Sequence, residues 1–106
     1  PVHTLHMHGD MDASVPYAGK DKQLGAVASA AWWANKAACA PASAAAPLDL
    51  DGDIAGSETV VQRFEQGCQP GGSAQLWTIV GAGHVPAFGT RFAAPVLDYL
   101  LAHRKP

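Results

Sequence analysis

The run Ala74-Gln75-Leu76-Trp77-Thr78-Ile79-Val80 leads without a break into Gly81-Ala82-Gly83-His84. A short, almost continuous apolar segment bounded by glycines reads as a strand buried on both faces, the kind that lies inside a sheet covered by helices. Trp77, in mid-strand, is a core residue on this reading. The glycines that follow let the chain turn sharply and leave the imidazole of His84 uncrowded.

Working outward, the residues after His84 give a helix. Phe92, Val96, Tyr99 and Leu100 fall at helical spacing, the helix ends near His103-Arg104, and Pro95 fits if it lies in the first turn. Before the central strand, Gln69-Pro70-Gly71-Gly72 is a turn, and Thr59 to Phe64, β-branched and aromatic, is a short strand. Ala40 to Gly56, rich in Ala, Pro, Asp and Gly, reads as a long loop and an insertion at about residues 40–58. A helix is expected from about Asp21 to Ala38, with Leu24, Val27, Ala28 and Ala31 on its inner face; Trp32 and Trp33 are adjacent and cannot share that face. Asp10 to Gly19 carries loop chemistry. Residues 2 to 8 alternate as a strand, with His3, Leu5 and Met7 opposite Val2, Thr4, His6 and His8. Strands alternating with helices predict an α/β sheet with at least one parallel crossover, in a single unit spanning residues 1–106. The chain enters its first strand directly at Pro1, as expected for a piece of a longer protein with an incomplete sheet.

Composition narrows the function. The 106 residues are 48% apolar and 15% charged, with 7 basic and 9 acidic side chains and a net charge of −2. That balance supports a packed core and offers no electrostatic footprint for nucleic acid or an anionic membrane surface. No apolar run reaches the roughly 18 to 20 residues of a membrane span.

Two loops carry chemistry: His8-Gly9-Asp10-Met11-Asp12-Ala13-Ser14-Val15-Pro16-Tyr17 and Gly81-Ala82-Gly83-His84-Val85-Pro86. Each follows a strand, and in open α/β sheets the loops at the carboxyl ends of strands form the active crevice. A carboxylate that holds an imidazole in one tautomer is two thirds of a nucleophilic triad. Asp12 and Asp10 are both candidates for the acid, and Val15 and Tyr17 read as packing beneath the site.

The two motifs in this order resemble the C-terminal third of an α/β-hydrolase, in particular the secreted esterases of the polyhydroxybutyrate-depolymerase and feruloyl-esterase type. Three further features are similar: Trp33 shortly before Cys39 at the end of a helix, Gly67-Cys68 before the last strand, and the LWTIV strand running into the histidine loop. The resemblance implies the last parallel strands of such a sheet with two helices, Asp12 as triad acid, His84 as triad base, and a carboxylic ester, small or polymeric, as substrate. Val85 and Pro86, next after the histidine, are the candidate substrate-binding residues; the family has Thr-Trp-Pro-Gly there. The resemblance implies no cofactor. It also implies a disulfide between Cys39 and Cys68, closing a loop with few large apolar residues, and hence a secreted protein.

In this fold the nucleophile precedes the acid, in Gly-x-Ser-x-Gly. None of Ser14, Ser29, Ser43, Ser57 and Ser73 sits in that pattern. The nucleophile and oxyanion hole are therefore expected in an N-terminal part of the same hydrolase, the chain's implied partner beside its substrate. Two other readings stay open. His6-Met7-His8-Gly9-Asp10 is faintly similar to the HxHxDH motif of metallo-β-lactamases, with Met11 where the last histidine belongs. A metal-dependent hydrolase would use His6, His8, Asp10 and His84. A non-catalytic binding module derived from a hydrolase is the other. Asp49-Leu50-Asp51-Gly52-Asp53 fails the calcium-loop pattern, with Ile54 and Val60 at the positions for Gly and Glu, and reads as a solvated acidic loop.

Overall fold

The computed structural model describes residues 1–105. Strands β1 (His3–Gly9), β4 (Ser43–Leu48), β5 (Thr59–Phe64) and β6 (Ser73–Ile79) form one mixed sheet in the order β1-β6-β5-β4. β1 runs parallel to β6, while β5 is antiparallel to β6 and β4 antiparallel to β5. A two-residue hairpin, β2 (Gly19–Lys20) with β3 (Gln23–Leu24), leads into helix α1 (Ala26–Lys36); α2 (Ala93–Ala102) closes the chain.

The apolar run Ala74 to Ile79 lies inside the sheet, and its alternation serves two cores. Leu76 is buried with Ala26 and Ala30 of α1, joined by Tyr17 and Phe64. Trp77 is buried on the other side with Leu50, Val61 and Tyr99 of α2, joined by Leu5, Met7, Phe92 and Val96. The indole N–H of Trp77 donates to Gln75 Oε1 at 2.8 Å, so the one polar atom of this core side chain is satisfied. Pro95 lies in the first turn of α2, where its missing N–H costs nothing.

Five expectations change. The first helix begins at Ala26, because Asp21 takes a left-handed conformation (φ 55°) inside the β2–β3 hairpin. Its inner face is the stripe Ala26, Ala30 and Ala34, whereas Leu24, Val27 and Ala28 are exposed. Methyl-sized side chains let the helix axis approach Leu76 closely, and that packing sets its rotation in place of the larger side chains. In α2, Phe92, Val96 and Tyr99 turn inward but Leu100 faces outward. The segment 40–56 is not wholly loop: Ser43–Leu48 pairs with β5 as the outermost strand, with a register shift between Ala45 and Leu48. Alanines there give no strand signal in sequence; the pairing comes from the ladder that β5 offers.

The same segment contains a buried acidic clamp where a solvated loop was predicted. Glu58 Oε1 accepts from the N–H groups of Leu50 and Asp51, both at 2.8 Å, and from the Thr59 hydroxyl at 2.9 Å. Burial pushes the Glu58 carboxyl up, but the Asp51 and Leu50 amides and the Thr59 hydroxyl outweigh it and hold the group below its ordinary value. Asp51, 4% exposed, accepts from the amides of Asp53 and Ala87.

Cys39 and Cys68 form a disulfide across a separation of 29 residues. Ala40 N–H to Gln66 O (2.8 Å) and Gln69 N–H to Ala37 O (2.7 Å) hold the backbones together around it. In the chain-entropy description a loop of this length destabilises the unfolded state by roughly 3 to 4 kcal/mol. The Cys39→Ala/Cys68→Ala double variant should lose about that much unfolding free energy in urea titrations. An unchanged midpoint would contradict this role for the bridge.

Candidate active site

Parallel pairing of β1 with β6 brings the two chemical loops to the same end of the sheet. Gly9 is opposite Ile79 at the end of the ladder, and both chains turn there. Asp10 N–H reaches Ile79 O (3.3 Å) and Met11 N–H reaches Ala82 O (3.0 Å), knitting one turn to the other. Gly9 is required by this approach: a Cβ there would run into the backbone oxygens of Ala82 and Gly83. Gly81 turns with φ 86° and donates its N–H to Asp10 Oδ1 at 2.8 Å.

The two candidate acids thus part company. Asp10 ties down the β6 exit. Asp12 faces His84, with Oδ2 at 2.9 Å from His84 Nδ1. The other oxygen of Asp12, Oδ1, accepts from Ser14 N–H (2.8 Å) and Val15 N–H (2.7 Å), closing the turn on itself. The Asp12 side chain is only 5% exposed. Removal from water pushes its carboxyl up, but the Val15 amide, the His84 ring and the Ser14 amide outweigh this and hold it at about 2.

Protonation states follow. An ionised carboxylate only accepts, so His84 Nδ1 carries the proton and donates it to Asp12. In its neutral form this tautomer leaves a lone pair on Nε2, which has no partner among the described residues. The ring is 52% exposed, so this lone pair is open to an incoming proton donor. A cleft of about 440 Å³ opens beside it, with Met7, Ile79, Val15 and Phe88 as its apolar wall.

Pro86 lines this cleft, while Val85, one residue earlier, is 85% exposed. None of the five serines lines it, and Ser73 lies at the opposite end of β6, bonded to His3 Nδ1 at 2.8 Å. Phe88 stacks on Phe92 with ring centroids 4.0 Å apart, which anchors the cleft wall to α2. Gly52 N–H to Ala87 O (2.7 Å), Gly89 N–H to Leu50 O (2.9 Å) and Ala87 N–H to Asp51 Oδ2 (3.2 Å) pin the far limb of the His84 loop to the buried acidic clamp. Sequence reading missed Asp51, Glu58 and Phe88. The glycine pair Gly52 and Gly89, where two backbones meet, was the available signal.

The four groups of the metal reading do not converge. Asp10 points to Gly81, and His8 Nε2 is committed to Val15 O at 2.8 Å. Among the described residues no group of three or more potential ligands could hold an ion. No helix among them is long and apolar enough to cross a membrane. No protein-family model matches the chain, and no curated protein or solved structure is significantly similar to it.

Because the Asp12 carboxyl sits at about 2 in the folded chain against 3.8 ordinarily, its contribution to stability is complete above about pH 4 and is lost as pH falls toward 2. Urea midpoints of the parent and Asp12→Asn should differ at pH 7 and converge across that window. A gap that is constant down to pH 2 would contradict the ionised, hydrogen-bonded state of Asp12.

Proposed function

We propose that the chain supplies the acid and base of an ester-cleaving catalytic triad whose serine lies outside these 106 residues. The observation that carries the reading is the Asp12–His84 contact: a depressed carboxylate at 2.9 Å from Nδ1 of a half-exposed imidazole that lines a cleft. His84 Nε2 takes the proton of the serine hydroxyl as its oxygen attacks the ester carbonyl, and returns it to the departing alcohol. In the second half a water gives its proton to Nε2 as its oxygen attacks the acyl-serine carbonyl, and Nε2 returns that proton to the serine oxygen as the acyl–oxygen bond breaks and the carboxylic acid leaves. Asp12 stays ionised throughout and stabilises the imidazolium that forms.

Several features support the substrate class. Beside the pair and the imidazoles of His6 and His8, the cleft wall offers Met7, Val15, Ile79, Pro86 and Phe88, apolar surface that suits an acyl chain or a hydrophobic polyester segment. The resemblance to depolymerase and feruloyl-type esterases rests on the two motifs and on the cysteines, and the fold it implies is the C-terminal portion of an α/β-hydrolase. The disulfide is consistent with an oxidising compartment, so we place the protein outside the cell.

The isolated chain should cleave p-nitrophenyl esters no faster than free imidazole. In an assembly of this chain with the nucleophile-bearing part, His84→Ala should abolish turnover and Asp12→Asn should lower kcat by about 10⁴. Asp10→Asn should do much less. Full turnover in His84→Ala, or a greater loss in Asp10→Asn than in Asp12→Asn, would overturn the assignment.

A further inference from the structure

The Asp12–His84 pair is not the end of the hydrogen-bonded series in this region. His8 Nε2 lies 2.8 Å from the carbonyl oxygen of Val15 and 3.3 Å from Asp12 Oδ2. His8 Nδ1 lies 3.1 Å from His6 Nε2, and the two rings stack with centroids 5.3 Å apart and planes 8° from parallel. Tyr17 stands edge-on to His8 at 5.5 Å, and its hydroxyl is bonded to Thr78 Oγ1 at 2.6 Å. The His8 side chain is 11% exposed. None of this is used by a triad that needs one acid and one base.

The acceptors dictate a single arrangement of protons. A carbonyl oxygen cannot donate, so His8 Nε2 carries a proton and directs it at Val15 O and, more weakly, at Asp12 Oδ2. A neutral His8 then has a bare Nδ1, which accepts from His6 Nε2–H. Charging His8 would set two N–H groups against each other unless His6 changed tautomer. Burial pushes the His6 ring below its ordinary value, with the neighbouring His8 adding to the effect, which keeps the upstream imidazole neutral.

The geometry reaches Asp12 twice. Val15 donates its own N–H to Asp12 Oδ1, and the same residue's carbonyl is held by His8. The turn that cups one carboxylate oxygen is thus pinned to β1, while the His8 N–H also faces the oxygen that holds His84. Resting on the triad reading above, we propose that His8 is a positioning residue for Asp12, with His6 fixing its tautomer, so that two stacked imidazoles along β1 hold the acid in the orientation that aligns His84.

The test is long-range ¹H–¹⁵N NMR of the ring nitrogens in the 106-residue chain, which reports tautomers without any catalytic activity. In the unmodified chain at neutral pH, His8 should be protonated at Nε2 and bare at Nδ1, His6 protonated at Nε2, and His84 protonated at Nδ1. In His8→Phe, the His84 ring should lose its preference for the Nδ1–H form while the amide spectrum stays dispersed. In His8→Gln, whose amide can still donate to Val15 O, the preference should return. A protonated Nδ1 on His8 in the unmodified chain overturns the proposal whether or not any variant folds. So does an unchanged His84 tautomer in a folded His8→Phe, which would make His8 a packing residue only. Failure of ester cleavage in the assembly would remove the triad and leave these ring states standing, so the two failures are distinguishable.

Discussion

The parallel ladder between β1 and β6, from His3 opposite Ser73 to Gly9 opposite Ile79, is the interaction on which the rest depends. It ends where both strands turn, and the absence of a side chain at Gly9 lets the turn backbones touch. From that closure the positions of Asp10, Asp12 and His84 follow. Shifting the register by one residue would place the wrong face of β1 toward each core and carry Asp12 away from His84. It would also move His6 and His8 off the side they share with Tyr17. β1 therefore has two jobs: Leu5 and Met7 pack on the α2-side core, and the alternating His6 and His8 lead to the acid.

A second constraint fixes the other limb of the His84 loop. The segment between Leu50 and Asp53 is folded around two buried carboxylates: both oxygens of Asp51 and Oε1 of Glu58 accept backbone amides, while Glu58 Oε2 is buried without a partner among the described residues. Buried carboxylates are costly unless satisfied in this way. Asp51 accepts directly from Ala87 N–H, and the backbone bridge between Asp51 and Phe88 continues the link to the cleft wall. The disulfide between Cys39 and Cys68 closes the longer stretch of chain that contains this segment and limits how far it can open.

Much of this was legible in the residues. The apolar run at Ala74 to Ile79 names the central strand, and the glycine-flanked His84 and the acid-bearing loop after Gly9 name the two loops that the structure brings together. The rotation of α1 was not legible, because an alanine stripe scores as weakly apolar yet permits the closest helix-to-sheet approach. β4 was hidden for a related reason: Ser43-Ala44-Ala45-Ala46 has no strand preference of its own and pairs because β5 presents an open edge. The acidic clamp was misread because composition cannot distinguish a solvated aspartate from one that is buried and satisfied; that difference lies in the backbone amides that fold onto Asp51 and Glu58. Local chemistry left Asp10 and Asp12 both open and only the resemblance favoured Asp12; in the structure Asp12 faces His84, whereas Asp10 accepts from Gly81 N–H.

The central claim is that His84 Nε2 receives the proton of a serine from outside this chain. It is tested most directly by the crystal structure of an ester-cleaving assembly containing the chain, inactivated with a serine-reactive phosphonate. The account predicts an adduct on a serine that is not one of the five here, its Oγ about 2.6 to 3.2 Å from His84 Nε2. An adduct on Ser14, Ser29, Ser43, Ser57 or Ser73, or on a serine remote from His84, would contradict it.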